Sequence, residues 1–242
     1  REYLIKQMED IGLKVTVDAI GDIRGRLKSL DDTAPVVMTG SHIDTVLHGG
    51  NFDGVVGVTA ALEAMRVLVE NNIKTLNPVE MIIFTEEEGS NFGSTMTGSK
   101  ALIGKYSLED IKHLKNDQGI SCYEAAKNFG LDPDRLEEYV IKPEEIKVML
   151  ELHVEQSVVL DSAQLPLGIV EAIAGIQCYK IELHGVSNHA GATPMNLRND
   201  PMSGASKIIS RIEKIAKEKA FPTTVATVGK ILCNPNVSNI IP

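Results

Sequence analysis

A chain of 242 residues with 43% hydrophobic content can bury a sizeable core, as one large domain or two modest ones. Its formal net charge of −9 argues against a nucleic-acid partner, which needs a basic footprint, although a local cationic pocket remains compatible with it. The three cysteines, Cys122, Cys178 and Cys233, are scattered and lack CxxC spacing, so neither a disulfide framework nor a thiolate zinc site is expected, and a reducing, cytoplasmic setting is. No apolar run approaches a membrane span, and no cationic stretch followed by an apolar one opens the chain, so no membrane anchor and no signal peptide is expected. The first residues, REYLIKQMEDIG, are already in helical periodicity without an initiator Met, so the chain is expected to start inside a larger protein.

Tyr3, Leu4, Met8 and Ile11 share a helical face, with Gly12 as terminator. Leu13 to Val17 and Ile23 to Leu30 alternate about a turn at Gly21 and Asp22, which predicts a hairpin. The stretch from Val36 to Val69 reads as a strand, a polar loop and a helix, the helix carrying Val55, Val58, Leu62, Met65 and Val69 on its apolar side. Val79 to Phe84 is a second such strand, and it ends in Thr85-Glu86-Glu87-Glu88. Ser121 to Glu124 has the form of a capping box, predicting a helix to about Phe129. Another helix is expected from Leu131 to Lys142, and a third core strand from Ile146 to Leu152, which leads into His153. Beyond about Ala172 the order changes to a strand over Gln177–His184, an amphipathic helix from Asp200 to about Lys219 and a strand over Thr223–Cys233. We therefore expect an α/β domain over 1–172 and an incomplete α+β domain over 173–242.

Three strands thus deliver polar side chains at their carboxyl ends, where open α/β sheets bind ligands: His42 and Asp53 after the first, Glu87 and Glu88 after the second, His153 after the third. Asp44, two residues beyond His42, is placed to orient the imidazole. Taken alone, Asp53 also reads as a helix cap, Glu86 to Glu88 as a solvated acidic loop and His153 as a satisfied histidine. Together they form a mixture of imidazole and carboxylate that suits zinc, or manganese or cobalt, and two such ions can share a bridging carboxylate and a bridging water. A carboxylate outside the coordination shell can then move the proton.

The segments GSHIDTVLHGGNFDGVVGV, FTEEEGSNFGSTMTGS, ELHVEQSVVL and GVSNHAGATPMNLRNDPM resemble the dinuclear metal amidohydrolases of the M20 metallopeptidase superfamily, and within it the N-carbamoyl-L-amino acid hydrolases and allantoate amidohydrolases. The resemblance implies a mixed-sheet di-metal hydrolase domain with an inserted lid and dimerisation domain, and hence a homodimer. It implies two divalent ions per complete subunit, one held by His42, Asp53 and His153, the other by Asp53 and Glu88, with Asp53 as bridge. Glu87 would be general base and acid. Gln156, His189 and Asn239 would contact a small ureido-acid substrate, His189 and Asn239 reaching a neighbouring subunit's site and His189 also steadying the oxyanion. Departures are Ser157 for the usual glycine, Asn91 for a common arginine and Asn199 for a frequent basic residue. The family's further histidine ligand has no counterpart here, since His48, His113 and His184 match no ligand position, so a fragment is expected. The implied reaction is cleavage of the carbamoyl C–N bond of an N-carbamoyl-L-amino acid, with allantoate as the alternative substrate. A reading of another class is a non-catalytic binding or assembly module with a degenerate metal site; the missing histidine favours it, and the intact Glu87–Glu88 pair argues against it.

Overall fold

Short alternating runs near the N-terminus and three longer apolar strands build one mixed sheet in the computed structural model, which describes residues Arg1–Pro242. These divide into two units, Arg1–Ile169 and Val170–Pro242. In the first unit α1 (Glu2–Asp10) closes through Gly12 N–H to Glu9 O at 2.8 Å and Leu13 N–H to Met8 O at 3.0 Å, the Schellman pattern made possible by φ +84° at Gly12. The strands β1 (Lys14–Val17) and β2 (Ile23–Leu27) then pair antiparallel, as the hairpin reading requires.

Next come β3 (Val36–His42), α2 (Val55–Glu70) and β4 (Val79–Phe84), a strand-helix-strand unit that sets β3 and β4 parallel. The short helices α3 (Thr97–Leu102), α4 (Leu108–His113) and α5 (Cys122–Asn128) follow, and the Ser121–Glu124 capping box is formed, each side chain bonding the other's backbone N–H. The chain returns as β5 (Ile146–Leu150), parallel to β3 on the side away from β4. The sheet order is β1-β2-β4-β3-β5. A four-residue α6 (Val159–Ser162) ends the regular structure of this unit.

Successive residues of β4 serve opposite faces. Met81 and Ile83 join Met8, Ile23, Val58, Leu62 and Met65 in one core beneath α1 and α2, whereas Ile82 joins Val36, Met38 and Leu102 on the other side. Being covered on both faces, β4 reads as an unbroken apolar run except for buried Glu80, whose charge is met by Arg24 at 2.5 Å and Arg26 at 3.8 Å. A third cluster gathers Ala19 and Ile20, from the β1–β2 connection, with Ala101, Ile111, Cys122 and Leu136 of the helical segment.

Several local expectations are corrected. The 131–142 helix is instead a 3₁₀ segment, Pro133–Tyr139, in which Arg135 leaves helical geometry at φ −95° and ψ 16°, and Lys142–Pro143 begins a second 3₁₀ turn. The ladder of β5 stops at Leu150, short of Leu152. In the second unit, neither Gln177–His184 nor Thr223–Cys233 forms a strand; both are exposed and make no ladder, and alternation without a pairing partner does not fix an extended chain. The expected β-α-β order therefore fails. That unit consists of α7 (Pro201–Glu218), capped by the Asp200 carboxylate, and a small antiparallel ribbon of β6 (Asn188–His189) and β7 (Ile240–Ile241). No helix is long and apolar enough to cross a membrane.

The connection between β1 and β2 carries two buried carboxyls. Asp18 accepts the N–H groups of Ile20, Gly21 and Asp22 at 3.0, 2.7 and 2.8 Å. Burial pushes the Asp22 carboxyl well above the usual carboxylate range, and the nearby Asp18 adds to the shift, while the Thr85 N–H, Arg1 and Arg24 oppose it. The folded state then binds this proton more tightly than the unfolded chain does. Its contribution is complete below the unfolded value, near pH ~4, and is lost as pH rises toward the folded value. Asp22→Asn should therefore gain stability relative to the parent as pH rises from about 4 to 8, measured as the difference in Tm; a difference independent of pH would show that Asp22 titrates normally.

Candidate metal centre

The parallel order β4-β3-β5 places β3 in the middle and aligns three carboxyl ends on one edge of the sheet. His42 closes β3 opposite Phe84, the last residue of β4, so the carboxylate loop that follows Phe84 lies on one side of the imidazole and His153, after β5, lies on the other. β3 continues to β4 on one flank, and β5 occupies the opposite flank. This reversal of strand order is the switch point at which such sheets form ligand crevices.

His42 is 1% exposed. Its Nδ1 lies 2.8 Å from the Asp44 backbone oxygen, and Nδ1 of His153 lies 3.0 Å from the Val154 backbone oxygen. A carbonyl only accepts, so each Nδ1 carries a hydrogen, and in the neutral ring it is Nε2 that keeps its lone pair and faces inward. The two Nε2 atoms stand 3.3 Å apart, and Asp53 Oδ1 lies 3.1 Å from one and 3.8 Å from the other. That oxygen is buried without a hydrogen-bond partner. Two imidazole nitrogens and a carboxylate oxygen thus converge, a donor set suited to a divalent cation.

The neighbours of this group fix its geometry. Gln156 donates to Asp53 Oδ2 at 2.6 Å, leaving Oδ1 to the imidazoles. Gly54, not Asp53, is the N-cap of α2, so the capping reading of Asp53 is discarded. Gly54 has φ +66°, and a Cβ there would sit 2.6 Å from Cε1 and Nδ1 of His42. Asp44 orients the imidazole through its carbonyl rather than its carboxylate, which is 3.7 Å from Nδ1 and instead accepts the Glu88 N–H at 3.0 Å.

A second group, His42 with Glu87 and Glu88, also has ligand atoms close enough for one ion. Glu87 Oε2 is 3.7 Å from His42 Nε2. Partial burial raises the Glu87 pKa, opposed by His42 and reinforced by the Glu88, Asp44 and Glu151 carboxylates. The residue shared by the two groups is His42, and Asp53 and Glu88 do not fall in one group. Beside them Glu86 is buried at φ +51°, its carboxylate bonded to the side chain and backbone N–H of Asn91 at 2.5 and 3.3 Å.

In the second unit His189 and Asn239 are brought together by the β6–β7 ribbon, with Ala190 N–H bonding Asn239 O at 2.9 Å. The N–H groups of Gly191 and Ala192 point at His189 Nδ1 from 3.1 and 3.2 Å, so that nitrogen is an acceptor and the ring's proton sits on Nε2. His189 is therefore a fixed, exposed donor, the opposite tautomer to His42 and His153. The carbonyls that set the rings of His42 and His153 were not legible in sequence, because a backbone acceptor leaves no residue signal.

An imidazole and carboxylate cluster that could hold a metal ion thus lies at the switch point of a mixed α/β sheet. The chain belongs to peptidase family M20/M25/M40, whose model matches residues 36–232. It is 43% identical, over all of its length, to the N-carbamoyl-L-amino acid amidohydrolase of Geobacillus stearothermophilus, and 37% identical over 98% of its length to the allantoate amidohydrolase of Bacillus subtilis strain 168. It covers 58% and 57% of those proteins. Among solved structures, a hydantoinase/carbamoylase family amidase from Burkholderia multivorans matches all of this chain and 58% of its own, with a TM-score of 0.78 and 29% identity.

His42 offers one free nitrogen, Nε2, to two candidate groups, so it can serve only one ion at a time. In the full-length protein, Zn²⁺ titration by calorimetry should show His42→Ala and His153→Ala each weakening the same ion, the one that Asp53 Oδ1 also faces; parental affinity in either variant would remove that residue from the site.

Proposed function

We propose that the full-length protein is a metal-dependent amidohydrolase that cleaves the carbamoyl C–N bond of N-carbamoyl-L-amino acids to an amino acid, ammonia and carbon dioxide. The observation that carries this reading is the convergence of the His42 and His153 Nε2 atoms on the unpartnered Asp53 Oδ1, beside a carboxylate with a raised pKa. The Geobacillus relative, aligned over the whole chain, supports the choice of substrate.

His42, Asp53 and His153 would hold one divalent ion and Glu88 would contribute to a second, with zinc, manganese or cobalt suited to the donors. Such ions supply polarisation of a water and of the scissile carbonyl. Gln156 holds Asp53 with its other oxygen toward the imidazoles and would also contact substrate. Glu87 accepts the proton of the attacking water and returns it to the leaving nitrogen, a task suited to a carboxyl whose pKa is lifted by partial burial. His189, with its proton on Nε2, would donate to the developing oxyanion, and Asn239 would bind substrate beside it. Residues 173–242 would serve as the lid and dimerisation region, presenting these two residues to a neighbouring subunit's site.

Allantoate is the second reading, favoured by the Bacillus subtilis relative. Ammonia release by the full-length protein from N-carbamoyl-L-amino acids and from allantoate, with zinc, manganese or cobalt added, decides between them; no release from either removes both. Absence of bound metal after reconstitution would instead support the non-catalytic module. Glu87→Gln should lower kcat by roughly 10²- to 10⁴-fold while metal content stays at the parent value. An unchanged kcat would take the proton-transfer role away from Glu87.

A further inference from the structure

The β2–β4 ladder ends at the pair Ile23–Ile83, yet the two chains remain joined one step further by a side chain. Asp22, fully buried, accepts the Thr85 N–H through Oδ1 at 2.7 Å. The Thr85 carbonyl is taken by the Gly98 N–H at 2.9 Å, and the Glu86 and Glu87 carbonyls by the Thr97 and Met96 N–H groups at 3.0 and 2.6 Å. The backbone of the carboxylate loop is thus pinned at its start by Asp22 and along one side by the entry to α3. Only glycine fits at position 98, where a Cβ would lie 2.1 Å from Asp22 Oδ1 and 2.7 Å from the Thr85 carbonyl oxygen. Asp22 is itself held by the turn that Asp18 organises, and Arg1 bonds the Gly21 carbonyl and the Thr85 hydroxyl alongside it.

We propose that Asp22 is a positioning residue for the proposed centre: by taking the Thr85 N–H it fixes where β4 releases the chain, and so sets the reach of Glu87 and Glu88 toward His42. The inference rests on the reading of that centre as a metal-dependent amidohydrolase. An apolar residue at 22 would leave a buried N–H unpaired and let the loop start from a different point. Displacements of about 1 Å at a catalytic group are enough to cost about a hundredfold in rate.

The test compares the full-length parent with Asp22→Ala, Asp22→Asn and Gly98→Ala, by Zn²⁺ titration and by turnover of N-carbamoyl-L-amino acids at saturating metal. Asp22→Ala should lower kcat about ten- to a hundredfold and weaken Zn²⁺ binding, with KM within about twofold of the parent. Asp22→Asn keeps an oxygen for the Thr85 N–H and should rescue both. Gly98→Ala, which pushes on Asp22 from the opposite side, should reproduce the loss, and the double variant Asp22→Ala with Gly98→Ala should be little worse than either alone. A lowered Tm with parental kcat and Zn²⁺ affinity in the folded fraction would reduce Asp22 to a structural role and overturn the proposal, as would a folded Asp22→Asn that fails to rescue. If Asp22→Ala does not fold, Gly98→Ala decides: loss of kcat and affinity supports the proposal, parental values overturn it. A parent that binds no Zn²⁺ removes the functional reading and this proposal with it, whereas an active parent with indifferent variants removes this proposal alone.

Discussion

The site depends on one electrostatic constraint: two imidazoles whose outer nitrogens are tied to main-chain carbonyls must aim their lone pairs at each other and at a carboxylate oxygen. Such a donor set suits a cation. The parallel order β4-β3-β5 creates the constraint, because it brings the ends of three strands to one edge with His42 at the centre. Gln156 holds Asp53 in orientation, and Asp44 keeps the carboxylate loop at its side through the Glu88 N–H.

The same arrangement separates the histidines by tautomer. His42 and His153 are set as acceptors toward the cluster, whereas the turn after His189 presents two N–H groups to its Nδ1 and leaves Nε2 as a donor. Backbone geometry thus assigns opposite hydrogen-bonding characters to chemically identical side chains. A binding role needs the first character, and stabilisation of a developing negative charge needs the second.

The first 169 residues were largely readable from sequence because local signals agreed with tertiary need. The Gly12 terminator, the Ser121–Glu124 capping box and the apolar runs of β3 and β4 each predict an element that the fold also demands. The candidate cluster was readable because strand ends carry ligands, so chemically apt residues in that position stood out. What was not readable depends on partners distant in sequence. Tyr179 and Ile181 alternate properly but have no strand to pair with, Arg135 breaks a helix that its neighbours would permit, and Asp44 acts through an atom common to all residues. Asp22 read as a turn residue because its partner lies sixty-three positions away.

The connection between β1 and β2 has a consequence for the carboxylate loop. Ala19 and Ile20 are buried among Ala101, Ile111, Cys122 and Leu136, while Asp22, three and two residues further on, grips Thr85. The residue that grips the start of the carboxylate loop is therefore anchored, two residues earlier, in the helical cluster. Phe92, from the same acidic loop, packs against that cluster too, so the start and the far end of the loop are tied to one apolar unit. The hairpin thus reaches the carboxylates through the backbone of Thr85 and not through their side chains.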